Sequence, residues 1–166
     1  MNYFQGNHRH PQHISVGAIL INDKKEICCH HFYTKDLQGY WAEQGLDDFY
    51  ILMRETIEPH ETLESALHRG LMEEFGATAE LVDYIGSIQG HFEHRGIIIQ
   101  KTTLYFLCTM LTQDASKRTG RDIEENSLVE WHPADFLSLR MREQGKKFKR
   151  TDVDESSILE RSRLIS

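Results

Sequence analysis

Residues Glu55 to Ala77 read ETIEPHETLESALHRGLMEEFGA. From Thr62 to Phe75 the apolar residues Leu63, Ala66, Leu67, Leu71 and Phe75 recur at spacings of three and four, which predicts an amphipathic helix. Thr62, following Pro59 and Glu61, is the expected N-cap, and Gly76 stands where a left-handed residue would end the last turn. On such a helix Arg69 lies one turn before Glu73, while position 70 lies one turn before Glu74 and three residues before Glu73. Residues 70, 73 and 74 therefore share one small triangle of surface. Glutamates at all three corners would form a cluster of hard oxygen donors suited to magnesium, which combines one or two carboxylates with waters and substrate phosphates. Glu73 and Glu74 occupy two corners, and Gly70 leaves the third bare. A glycine inside a helix costs about 1 kcal/mol relative to alanine. Gly70 thus either admits a close neighbour, such as a crossing strand or a substrate group, or records a lost constraint. Out of context, Glu73 and Glu74 would be a solvated helix end, and Arg69 with Glu73 an ordinary surface ion pair. Glu61, just ahead of the helix, is favoured there by the N-terminal dipole whatever else it does.

The same stretch resembles the Nudix box, the diphosphate-hydrolysing signature G-x5-E-x7-R-E-U-x-E-E-x-G-U, in which U is aliphatic. Glu61, Arg69, Leu71, Glu73, Glu74, Gly76 and Ala77 match it, whereas Glu55 stands at its first glycine and Gly70 at the glutamate after the arginine. The preceding loop departs too: Met53-Arg54-Glu55 and Pro59-His60-Glu61 replace the P-G-G and P-G-E common among relatives. The resemblance implies a metal-dependent hydrolase acting on a nucleoside diphosphate linked to another moiety: a nucleotide, a nucleotide sugar or a dinucleoside polyphosphate. Magnesium, or manganese in its place, would sit on Glu73 and Glu74, with Arg69 holding the carboxylates in position and Glu61 completing the catalytic set. In several family members the glutamate absent at Gly70 is the base or a metal ligand, so here the base is expected outside the box. Glu125, beside Glu124 in the acidic loop RDIEENS, is the choice, with Glu93 and His94 as alternatives. Gly70 also opens a second reading, a Nudix-fold nucleotide-binding module with weak or no hydrolysis. For substrate contacts, Arg54 would meet a phosphate through its forked guanidinium or be a surface arginine. Trp41, next to Tyr40 in YWAEQGLDD, would stack on a nucleobase or serve packing.

Around this stretch the pattern predicts strands at residues 13–22 and 26–33 joined by an Asp23-Lys24-Lys25 turn, and a third strand at 48–53. Two long strands, 79–89 and 96–111, flank the turn GHFEHRG, in which His91 and His94 read as turn residues rather than ligands. A short strand at 127–131 and helices at 133–141 and 154–163 complete the chain. This is the layout of an α/β fold, a three-layer α/β/α sandwich with a central mixed sheet, which is also the Nudix fold. SLVEWHPADFLSL resembles the family's tryptophan-proline passage from strand to helix, so the likeness covers about residues 13–163.

With 166 residues, 39% apolar and 27% charged, the composition is that of a globular domain large enough to bury a core. A net charge of −7 argues against gripping nucleic acid by its phosphates, and an acidic chain that handles phosphates would rely on a bound cation. There is no apolar run of the ~20 residues a membrane span needs and no signal peptide, so no membrane partner and a cytoplasmic location are expected. Cys28, Cys29 and Cys108 show no metal spacing and read as reduced core residues. Residues 1–12 are expected to be a flexible segment outside the fold, because NYFQG looks like part of a protease-site linker; residues 13–166 would form one domain. The basic cluster from Arg140 to Arg150 reads as a solvated face. The family resemblance makes a homodimer a fair expectation.

Overall fold

The computed structural model describes residues 4–33, 43, 48–119 and 126–163. Among these, seven strands run β1 (Gln12–Ile21), β2 (Ile27–Tyr33), β3 (Asp48–Ile51), β4 (Met53–Thr56), β5 (Ala77–His94), β6 (Ile97–Gln113) and β7 (Leu128–His132). The helices are α1 (Leu63–Phe75), α2 (Ala134–Phe148) and α3 (Ser156–Ser162). The strand path is β3-β2-β1-β6-β5, with β4 added to β1 and β7 to β2. β1 and β6 pair in parallel and the remaining pairs are antiparallel, so the sheet is mixed as expected.

Strand alternation divides the core between the two faces of the sheet. Val16, Ala18 and Leu20 of β1 pack with Ala66, Leu67, Leu71 and Phe75 of α1. Ile19, on the opposite face, packs with Leu137 and Met141 of α2 and with Ile158 and Leu159 of α3. Helices on both faces of one sheet give the α/β/α sandwich. Cys28, Cys29 and Cys108 are buried free thiols within these cores. Ahead of β1, the Ile14 amide donates to the Phe4 carbonyl at 2.8 Å, and Phe4 packs against the α1-side core.

Several boundaries differ from the sequence reading for identifiable reasons. The single strand expected at 48–53 is two, parted at Leu52, whose amide donates instead to the buried Glu155 carboxylate at 2.8 Å. The long hairpin stays paired through His94, with register shifts at Thr78/Ala79, Leu81/Asp83 and Tyr84/Gly86, and turns on Arg95 and Gly96. Both have positive φ (51° and 77°), the conformation that two-residue hairpin turns of the primed type demand. α2 continues to Phe148 because Gly145 leaves room for Asp154: a Cβ on Gly145 would lie 2.5 Å from the Asp154 Cβ. No helix of the described residues is long and apolar enough to cross a membrane.

Candidate active site

The box helix begins and ends as its sequence dictates. The Thr62 hydroxyl accepts from the Ser65 amide (3.0 Å) and the Ser65 hydroxyl accepts from the Thr62 amide (2.9 Å), a reciprocal cap. Gly76 closes the helix at φ 63°, donating to Met72, and a Cβ there would strike the Asp114 carbonyl oxygen at 2.0 Å. The entry turn, Glu58 to Glu61, is closed by a 3.2 Å bond from the Glu61 amide to the Glu58 carbonyl. Its third residue, His60, has φ 68°, a left-handed conformation that glycine adopts without strain and histidine does not.

Arg69 is the hub of the face that this helix presents. Its Nε and Nη2 donate to the two Glu61 carboxylate oxygens at 2.8 and 3.0 Å, a bidentate clamp. Nη2 also donates to the Thr56 carbonyl at 2.8 Å, tying α1 to the end of β4. Nη1 donates to Glu73 Oε2 at 3.3 Å and lies 3.4 Å from Glu55 Oε2. Three carboxylates thus converge on one guanidinium, a formal local charge of two negative. Within the cluster the acids are differentiated. The Arg69 bond to Glu61 is the main force lowering that carboxyl below its ordinary range, whereas partial burial raises Glu55.

A family model described as NUDIX domain matches residues 11–151. The chain belongs to the Nudix family. Among solved structures this Nudix domain is similar to a NUDIX hydrolase from Nitrosomonas europaea, with a TM-score of 0.55 and 14% identity over 78% of this chain and 77% of that one. It is also similar to the MutT protein from Methanosarcina mazei Go1, at a TM-score of 0.54 and 18% identity over 84% of this chain and 94% of that one. At those identities the likeness establishes the fold.

Of the two box carboxylates expected to hold metal, Glu73 faces outward and Glu74 inward. Glu73 has 39% of its side chain exposed; Glu74 has 8%, and its Oε2 accepts from His30 Nε2 at 2.6 Å. His30 is fully buried, and desolvation holds its pKa down to about 3, so the ring is neutral at physiological pH. Ser127 Oγ lies 2.7 Å from His30 Nδ1 and accepts from Arg118 Nη2 at 3.2 Å. An ionised Glu74 only accepts, so a neutral ring carries its proton on Nε2 and presents Nδ1 as the acceptor toward the Ser127 hydroxyl. His30 is the residue of the site that the sequence reading missed. Its signal was available, because in the buried strand ICCHHFY alternation sends His30 to the same face as Cys28, toward α1.

Of the substrate candidates, Arg54 stands elsewhere. On β4, Met53 and Glu55 face Gly70 of α1, and Arg54 points to the opposite side of the sheet. There its Nη1 donates to the Asp152 carbonyl at 2.8 Å and its Nε lies 3.9 Å from the fully buried Glu155. Glu93 and His94 lie at the tip of the β5–β6 hairpin. Tyr40, Trp41, Glu124 and Glu125 fall outside the described residues.

The donor set suits a hard divalent cation. No group of three or more His, Cys, Asp or Glu among the described residues is already arranged as a cage. Magnesium needs none, since one or two carboxylates complete its shell with water and substrate phosphate. Glu73 and Glu55 are oxygen donors converging on one nitrogen of Arg69, and the bare Gly70 lets β4 come close enough for the Glu55 side chain to stand on this face.

Proposed function

We propose that this Nudix protein is a metal-dependent hydrolase that cleaves the diphosphate linkage of a nucleoside diphosphate joined to another moiety, whether a nucleotide, a nucleotide sugar or a dinucleoside polyphosphate. The observation that carries the reading is the convergence of Glu55, Glu61 and Glu73 on Arg69 at one face of the box helix. A surplus of carboxylate beside a single fixed cation is a poor way to stabilise a helix and a good way to receive magnesium or manganese.

In this reading water attacks one phosphorus, the anhydride P–O bond breaks, and the other phosphate departs with the bonding pair. Charge neutralisation at the phosphates is what the bound cation supplies. Arg69 positions the acids: it binds Glu61 with two nitrogens and holds Glu73 toward solvent. His30 orients Glu74 from beneath the helix. The proton of the attacking water passes to a carboxylate from outside the box, for which Glu125 is the candidate. Trp41 is assigned to the nucleobase, whereas Arg54, engaged by Asp152 and Glu155 on the other side of the sheet, is given no substrate contact. A cytoplasmic location and homodimeric assembly belong to the same reading.

The test is a panel of ADP-ribose, nucleoside triphosphates, dinucleoside polyphosphates and nucleotide sugars, incubated with magnesium or manganese. Metal-dependent release of phosphate or nucleotide from one class is the expected result. An intact panel, with one member raising the melting temperature, would instead identify a binding module.

A further inference from the structure

The two departures from the box, Glu55 and Gly70, meet in space. A Cβ built on Gly70 would lie 2.7 Å from Glu55 Cβ, 2.8 Å from Met53 Sδ and 3.2 Å from Glu55 Cγ. The first of these is the root of a side chain on a paired strand, which cannot swing away as a flexible tip can. Gly70 is therefore bare because β4 crosses it, and the helix tolerates a cost of about 1 kcal/mol relative to alanine to permit the approach. The side chain that fills the space is itself a glutamate.

Resting on the function proposed above, we infer that Glu55, reaching across from β4, supplies to the divalent-cation face of α1 the carboxylate that position 70 does not. The two positions have exchanged residues, so the carboxylate arrives from the strand instead of from the helix. Its Oε2 and that of Glu73 approach the same Arg69 nitrogen, at 3.4 and 3.3 Å, so their separation cannot exceed the sum of those distances. Side-chain rotation brings such a pair onto one cation at the 2.0–2.1 Å typical of magnesium–oxygen bonds. Glu55 is also braced: its Oε1 accepts from the Thr56 amide at 2.8 Å, leaving Oε2 directed at the cluster. Glu74, bonded to His30, cannot offer the same outward carboxylate without leaving its buried partner.

The alternative role for Glu55 is that of a partner to Arg69 alone. Glu55→Gln separates the two, because its one amide oxygen can still accept from Arg69 while the charge is gone and the second oxygen, which meets the Thr56 amide, is lost. Mn2+ binding to the substrate-free protein, followed by electron paramagnetic resonance, gives a readout independent of turnover. Glu64→Gln, on the exposed start of the same helix, serves as the surface-charge control. Glu55→Gln is expected to weaken Mn2+ binding by roughly tenfold or more, with Glu64→Gln unchanged and the double exchange Glu55→Gly/Gly70→Glu restoring affinity. Mn2+ affinity unaltered in Glu55→Gln, or no Mn2+ binding by the wild type, would overturn the inference. Gly70→Ala adds a measurement that needs no metal: it should lower the melting temperature in the wild type and raise it in the Glu55→Gly background. A Gly70→Ala effect of the same sign in both backgrounds would remove the steric basis of the inference. An intact substrate panel together with Mn2+ binding that depends on Glu55 would sink the hydrolase reading and leave the cation site standing.

Discussion

Arg54 and Glu55 are neighbours on β4 and belong to two charged clusters of opposite character. On one side of the sheet, Arg54 faces Glu155, whose carboxylate accepts from the Tyr105 hydroxyl at 2.5 Å and the Leu52 amide at 2.8 Å. Arg150 pairs with Asp152 alongside, so two arginines face two acids. Glu155 and Tyr105 have no solvent exposure, and burial drives the Tyr105 phenol well above its ordinary range, so it stays a neutral donor. On the other side, Glu55 joins Glu61 and Glu73 around one arginine, with Glu73 open to solvent. A buried cluster must be matched in charge and hydrogen bonds, because a leftover charge there is too costly. A half-exposed cluster can keep a surplus, and that surplus marks it as the place for a cation. Charge balance and exposure thus separate scaffold from site even where the residues adjoin in sequence.

The sharpest way to break this contrast is to remove Glu155. Glu155→Ala would strand Arg54 and the Leu52 amide, and a loss of about 3–5 kcal/mol in denaturant-derived stability is expected. A loss near zero would make the buried cluster dispensable. On the other side, Arg69→Ala should leave a folded protein whose metal-dependent turnover falls roughly 10–100-fold, and Arg69→Lys should not rescue it, since ammonium cannot clamp Glu61 with two parallel bonds. Unfolding of Arg69→Ala at room temperature would mean that this cluster, too, is scaffold.

A smaller effect comes from His13 on β1, whose pKa desolvation, followed by the charge of Lys101, lowers to about 4. The unfolded ring binds its proton near pH 6.5 and the folded ring only near 4, so the contribution is complete above pH 6.5 and is lost as pH falls toward 4. Unfolding free energies across that window should decline by on the order of 1–2 kcal/mol more in the wild type than in His13→Asn. Parallel curves would contradict the assignment. The smallest effect is expected at the entry turn. His60→Gly relieves the left-handed backbone and should stabilise the protein by about 0.5–1 kcal/mol, less whatever glycine adds to unfolded-chain entropy. Destabilisation on thermal melting would mean that the imidazole has a role there.

What could be read from sequence follows how local each determinant is. The box helix, its Thr62 cap and its Gly76 stop were legible because periodicity and capping act within one or two turns. So was the α/β/α sandwich with a mixed sheet, through the order of its elements. The division at Leu52 was hidden, since the Glu155 carboxylate that captures the Leu52 amide is distant in sequence. The same distance hid the contact that explains Gly70: a helix surface predicts which residues share a corner, not which strand crosses it. Yet the alternation of β4 was available, and it sends Arg54 away from Glu55, and so away from the box helix, whatever the tertiary context. For His30, too, alternation gave the face of β2, but not the partners, since Glu74 and Ser127 reach its two nitrogens only in the folded chain.

The central claim is that the cluster around Arg69 is built for a divalent cation and not for stability. Glu73→Gln tests it most directly, with Mn2+ titrated into the substrate-free protein by calorimetry and folding stability measured on the same samples. The account predicts stability within about 0.5 kcal/mol of the wild type, as for an exposed pair, together with a weakening of Mn2+ binding by roughly tenfold or more. Mn2+ binding that Glu73→Gln leaves unchanged would contradict it.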